Sequence, residues 1–207
     1  MRTRSRSRGT FCSGSDKALT IYYTDNFSGR REASRPLLCK AVSLYTGAAV
    51  TPEDVRTAPG GKPYIEGGPH FSVTHSERYW AVLFADVPCG IDVQVPRTTV
   101  NVRIIARRVF SERETNLVTQ LGQDAFYQIW TRREALVKSA GRSVFAEDVP
   151  ELLLPPGEEV IKVNYQGAPR AVMDLDVPSG LFAAVAWTVD EGWIAAREVP
   201  TMRRFTI

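Results

Sequence analysis

The sequence predicts an α+β fold of two pseudo-duplicated subdomains, each a helix with an antiparallel sheet. Three observations predict it. Each half of the chain reads as helix followed by strands. The turn DVPCG at 86–90 in the first half is echoed by DVPSG at 176–180 in the second. The 207 residues are 43% hydrophobic and 24% charged, the composition of a soluble globular chain long enough to bury a core.

Residues 1–16 read as a disordered basic tail. Four of the 26 lysines and arginines lie in the first ten residues, which hold no acid. Without them 22 basic residues face 23 acidic ones, so the net charge of +3 belongs to the tail and the body is near neutral. A nucleic-acid binder carries its basic excess on the fold, so no nucleic-acid partner is expected. Three scattered cysteines, Cys12, Cys39 and Cys89, exclude a disulfide framework and a zinc cluster. The longest apolar run, from Leu181, is too short to span a bilayer. No apolar stretch follows the arginines as in a secretory signal. The chain is expected to be cytoplasmic, with no membrane partner.

The N-terminal subdomain is placed at 17–96. Leu19–Tyr23 is a β-branched and aromatic strand. Leu37, Leu38, Ala41, Val42 and Tyr45 have helical spacing over Ser34–Tyr45, with Pro36 in the first turn. The glycines and prolines of 58–69 make a loop, with room for one brief strand. HFSVTHS, WAVLFA (80–85) and IDVQV (91–95) then read as a three-stranded meander ending near Pro96.

The C-terminal subdomain is placed at 97–207. A helix is expected over Val102–Val109, and Ser111 with Glu114 forms the S-x-x-E box that opens the next. A further helix runs from Asp124 to Ala140 and stops at Gly141. Strands follow at Val160–Tyr165, Ala171–Leu175 and Leu181–Val189.

Several residues have the chemistry of a site. On the Asp124 helix, Phe126, Ile129, Trp130, Leu136 and Val137 form a buried stripe, with Arg133 in its middle where a charge needs a partner. Glu134 and Lys138 lie one turn apart at the stripe's edge. On spacing alone they read first as a surface ion pair; the functional reading is a carboxylate and an ammonium held toward a cleft, one for a metal and one for a phosphate. Asp92 and Gln94 share one face of IDVQV, either solvated or as oxygen ligands for Mg²⁺. Gly90 permits close approach of the backbone to a ligand. His75 follows Phe71 and Val73 on one face, as a core histidine or, with Thr74 and Ser76, as part of a phosphate-binding segment. Lys62 lies on a glycine-rich loop where an anion could bind. Glu114 is the capping acid or a second acid for chemistry. No GxSxG elbow is present. Together these pieces suggest a phosphate-bearing substrate, Mg²⁺, and two acids from different segments.

In order, the pieces resemble the 4′-phosphopantetheinyl transferase family in its longer, pseudo-dimeric form. The family pattern is a GKP loop, F-[NS]-[IV]-[ST]-H-S, G-[IV]-D-[VI]-E, F-x-x-x-E and W-x-x-K-E-[AS]-x-x-K. This chain has Gly61-Lys62-Pro63, FSVTHS from Phe71, GIDVQ from Gly90, FSERE from Phe110 and WTRREALVK from Trp130. The resemblance covers roughly residues 34–145. It implies transfer of the phosphopantetheine arm from coenzyme A to a serine of an acyl or peptidyl carrier protein, releasing adenosine 3′,5′-bisphosphate. It implies Asp92, Glu134 and Gln94 at Mg²⁺, and Lys138 on the pyrophosphate. Lys62, Thr74 and His75 would hold the 3′-phosphate and nucleotide. Glu134, or a metal-bound water held by it, would be the base for the carrier serine, with Glu114 in support.

Gln94 stands where the family has glutamate, so weaker metal affinity with activity retained is expected. Arg133 replaces a lysine and keeps its charge. The first half lacks the family's lysine-rich helix, and Arg30, Arg31 or Arg35 would have to compensate, Arg35 being the one placed in the site. A chain that forms its cleft between its own halves is expected to be a monomer. Alternative readings are a non-catalytic coenzyme A or carrier-protein binding module, and a Mg²⁺-dependent nucleotide pyrophosphohydrolase.

Overall fold

The computed structural model describes residues 19–143, 145–146, 148–189 and 201–204. The tail expected at 1–16 lies outside the described residues.

The first half begins with β1 (Thr20–Thr24) and α1 (Arg31–Thr46), which ends on Gly47 in the left-handed conformation with φ 70°. A short 3-10 turn (Pro52–Asp54) leads into a small hairpin of β2 (Val55–Thr57) and β3 (Pro63–Ile65). β3 is the brief strand allowed for in the glycine-rich stretch; β2 carries no sequence signal beyond its three residues. β4 (His70–Ser76), β5 (Tyr79–Ala85) and β6 (Cys89–Gln94) follow. The second half holds α2 (Val102–Val109), α3 (Glu112–Leu121) and α4 (Gln123–Ser139). It continues with β7 (Val160–Tyr165), β8 (Ala168–Asp174), β9 (Phe182–Thr188) and β10 (Thr201–Arg204). The capping box forms: the Ser111 hydroxyl accepts from the Glu114 N–H at 3.1 Å, and the Ser111 N–H donates to Glu114 Oε2 at 2.8 Å.

Two four-stranded sheets result, in the orders β10-β1-β5-β4 and β6-β9-β8-β7. They lie face to face, with α1 on the outer face of the first and α4 on the outer face of the second. Strand alternation produces these layers. On β5, Trp80, Val82 and Phe84 turn toward Leu37, Leu38 and Val42 of α1. Ala81, Leu83 and Ala85 turn the other way, onto Ile91, Val185 and Trp187 of the second sheet. A strand covered on both faces has no polar side, which is why WAVLFA reads as one apolar run. On β9, Val185 and Trp187 face the first sheet, while Ala184 and Ala186 face Ala135, Leu136 and Val137 of α4. The expected α+β class holds, with helices packed on mainly antiparallel sheets. Among the described residues no helix is long and apolar enough to cross a membrane.

Two strand assignments depart from the sequence reading. β6 is not the third strand of a meander: it pairs with β9 in the second sheet, Asp92 opposite Ala184. The chain therefore changes sheets at Asp86–Pro88, ahead of the expected division near Pro96. β10, which no periodicity announces, returns to the first sheet and pairs parallel with β1.

As an edge strand, β6 leaves the N–H groups of alternate residues unpaired within its own sheet. They are taken up by hydroxyls of β4. Ser72 Oγ accepts from Ile91 N at 3.2 Å, Thr74 Oγ1 from Val93 N at 3.2 Å, and Ser76 Oγ from Val95 N at 3.0 Å. A ladder of side chains with a period of two thus closes the seam between the sheets.

Candidate functional site

The site forms where α4 crosses β6. Its nearest approach is at Gly90, where a Cβ would stand 2.0 Å from the Ala135 carbonyl oxygen and 2.6 Å from Ser139 N. The close approach expected of Gly90 is therefore to the backbone of α4, not to a ligand. Glu134 and Lys138 are each one residue before these contact points, and so project beside Asp92.

Asp92 is only 2% exposed. Lys138 Nζ donates to its Oδ1 at 2.6 Å, and Thr74 Oγ1 donates to the same oxygen at 3.0 Å. Gln94 Nε2 donates to Oδ2 at 2.9 Å. Lys138 also reaches the Ile91 carbonyl at 3.3 Å, which fixes the ammonium over the strand. Glu134 is different. Burial pushes its pKa up to about 7, Lys138 draws it down, and the nearby Asp92 charge raises it further. No described residue donates a hydrogen bond to its carboxylate.

A cleft of about 640 Å³ opens beside this network and takes walls from both halves, including Phe27, His75 and Arg78 from the first and Gln94, Tyr127 and Trp130 from the second. Gln94 joins the two features, since it lines the cleft and bonds Asp92. His75 is not a core histidine. It stands exposed at the open end of its face, its ring 5.3 Å from that of Phe27. The sequence reading missed Phe27, Arg78, Arg97 and Tyr127. Only their neighbourhood in space marks them: Arg97 pairs with Glu77 at 2.8 Å, and its N–H donates to the Tyr127 hydroxyl at 2.9 Å.

Other expected site residues lie elsewhere. Thr74 is 4% exposed and buried beneath Asp92, with its hydroxyl donating to Asp92 and accepting from Val93. Lys62 Nζ donates to the carbonyls of Cys89 at 2.8 Å and Lys138 at 2.9 Å, tying the hairpin loop to the start of β6 and the end of α4. Burial holds its pKa below the usual lysine value. Arg35 donates to the carbonyls of Pro52 and Val55, pinning α1 to the 3-10 turn, and lines no part of the cleft. Glu114 is wholly buried, its Oε2 accepting from Arg133 at 3.0 Å and its Oε1 from Leu152 N at 2.9 Å. It is the partner that Arg133 requires inside the stripe, and its oxygens are all engaged. Among the described residues, no three His, Cys, Asp or Glu side chains form a metal-binding group, which leaves two carboxylates and an amide.

Residues 88–164 match the family model of the 4′-phosphopantetheinyl transferase superfamily. The chain is 29% identical to the 4′-phosphopantetheinyl transferase HetI of Nostoc sp., over 83% of this chain and 76% of that one. It is 32% identical to the transferase Sfp of Bacillus subtilis, over 60% of this chain and 58% of the relative. It is 36% identical to AcpT of Salmonella typhimurium, over 55% and 59%. The chain thus spans little more than half the length of the last two. Among solved structures it is similar to the holo-[acyl-carrier-protein] synthase of Thermotoga maritima, at 16% identity and a TM-score of 0.29, covering 54% of this chain and 74% of that one.

Proposed function

We propose, since the chain belongs to the 4′-phosphopantetheinyl transferase superfamily, that it moves the phosphopantetheine arm of coenzyme A onto a serine of an acyl or peptidyl carrier protein. The observation that carries the reading is the meeting of Asp92 from β6 with Glu134 and Lys138 from α4 beside a cleft walled by both halves.

The donor chemistry fits Mg²⁺. It is a hard cation, usually bound by one or two carboxylates with waters and substrate phosphates completing the shell. Asp92 Oδ2, a Glu134 oxygen and the Gln94 amide oxygen supply that set. Glu134, a half-buried carboxylate beside a second one and without a described donor, is a group that a cation would relieve. When bound, the metal would polarise the pyrophosphate and neutralise its charge. Phosphoryl transfer otherwise needs positioning and charge stabilisation. Lys138 supplies a cation toward the pyrophosphate, and His75 and Arg78 supply donors along the cleft wall. The carrier serine oxygen forms a bond to the phosphorus that carries pantetheine, and the bond from that phosphorus to the adenosine 3′,5′-bisphosphate oxygen breaks. The serine proton passes to Glu134.

A second reading has its own support. Asp92 already accepts hydrogen bonds from Lys138, Thr74 and Gln94, so that carboxylate is satisfied without a metal, as in a coenzyme A or carrier-binding module. One experiment separates them. The chain is incubated with coenzyme A, Mg²⁺ and an apo carrier protein, and the carrier is weighed. A single added phosphopantetheine that disappears with Glu134→Ala is expected. Carrier binding at unchanged mass would establish the module instead, and adenosine bisphosphate released without any carrier would establish a hydrolase.

A further inference from the structure

We infer that Thr74 is a positioning residue that acts on the cation site through Asp92, rather than a contact for substrate phosphate. The inference rests on the proposal that Asp92 is a metal ligand.

The three hydroxyls of β4 are equivalent toward the backbone: Ser72 and Thr74 each accept one N–H from β6, and Ser76 accepts that of Val95 just beyond it. Only Thr74 also faces a carboxylate. Its own proton lies on Asp92 Oδ1, at 3.0 Å. One side chain therefore holds both the strand at Val93 and the carboxylate one residue before it. Thr74 is 4% exposed, with its donor engaged and one lone pair taken, so a phosphate in the cleft has no route to it.

The consequence for Asp92 is directional. Oδ1 is occupied by Thr74 and Lys138, and Oδ2 by Gln94 alone. Ionised carboxylate oxygens have about two lone-pair sites each. Saturating Oδ1 leaves the free site on Oδ2, the oxygen bonded by Gln94, which itself lines the cleft. Thr74 thereby selects which oxygen meets the cation before the cation arrives. It reaches across the seam to do so, from the first sheet to a ligand on the second. Partners of this kind in the outer shell of a metal site carry about 10–100-fold in affinity.

The test is a titration of Mn²⁺ in the presence of coenzyme A, followed by electron paramagnetic resonance, on the full chain. It compares the wild type with Asp92→Asn, Thr74→Val, Thr74→Ser and Ser72→Ala. Coenzyme A affinity in EDTA is measured alongside. Thr74→Val is expected to weaken Mn²⁺ binding about tenfold or more with coenzyme A affinity in EDTA unchanged. Thr74→Ser restores binding, and Ser72→Ala leaves it at the wild-type value. Should Thr74→Val fail to fold, Thr74→Cys, a weaker donor of similar shape, is expected to fall between Ser and wild type on one side and no binding on the other.

Three results overturn the inference. Thr74→Val could weaken coenzyme A in EDTA and leave Mn²⁺ alone, which puts the hydroxyl on phosphate. Thr74→Val and Ser72→Ala could act equally, which reduces Thr74 to seam stability. Asp92→Asn could bind Mn²⁺ like the wild type, which removes Asp92 as a ligand. A chain that binds Mn²⁺ through Asp92 but adds no mass to a carrier defeats the transfer reading and leaves the role of Thr74 standing.

Discussion

Gly90 on β6 and Ala135 on α4 touch backbone to backbone: a single methyl on Gly90 would lie 2.0 Å from the Ala135 carbonyl oxygen. That contact sets the depth of the helix against the strand, and with it the separation of Asp92 from Glu134 and Lys138. Backbone cannot give way as a side chain end can. Gly90→Ala is expected to cost at least the upper end of the ~1–3 kcal/mol usual for overpacking. Denaturant titration reads that loss, and any protein that folds should bind Mn²⁺ more weakly because α4 has lifted.

Glu114 and Arg133 should behave as a structural pair. Glu114→Gln leaves a buried guanidinium without its counter-charge and is expected to destabilise by about 3–5 kcal/mol. Replacing both partners by Gln and Met should recover part of the loss, since the uncompensated charge then disappears. The measurement is urea unfolding of the two variants. A role for Glu114 in proton transfer would instead appear as lost transfer activity at unchanged stability.

Gln94→Glu restores a carboxylate where this chain has an amide. The donor to Asp92 Oδ2 is lost and a second negative charge is brought beside it. Half-saturating Mg²⁺ should fall, while the metal-free protein should melt lower than the wild type and recover when Mg²⁺ is added. Thermal melts with EDTA and with Mg²⁺ check both directions.

Cys89 tests the packing at the seam. Burial pushes its thiol from 9.0 up to about 12, and only the Lys62 charge opposes the shift. A folded pKa above the unfolded one gives a stabilisation that is complete below pH 9 and lost as the pH climbs toward 12. Cys89 should therefore resist a disulfide reagent at pH 8 in the native protein and react once urea unfolds it. Cys89→Ala should flatten the alkaline limb of the stability profile.

Local periods determined much of this molecule. The alternation of β4, the apolar run of β5, the S-x-x-E box at Ser111 and the apolar stripe of α4 all depend on neighbours within a few residues, so the elements are legible in the letters. The pairing of Asp92 with Glu134 and Lys138 was also within reach, through the ordered motifs. The allegiance of β6 was not. Whether its edge is met by another strand's backbone or by hydroxyls is decided across the seam, by Ser72, Thr74 and Ser76. For the same reason Lys62 and Thr74 look like phosphate ligands in the sequence. Their partners are carbonyls and a carboxylate brought near only by folding, such as the Lys138 carbonyl 76 residues from Lys62. Hydrogen-bonding capacity is a property of the residue; who satisfies it is a property of the packed chain.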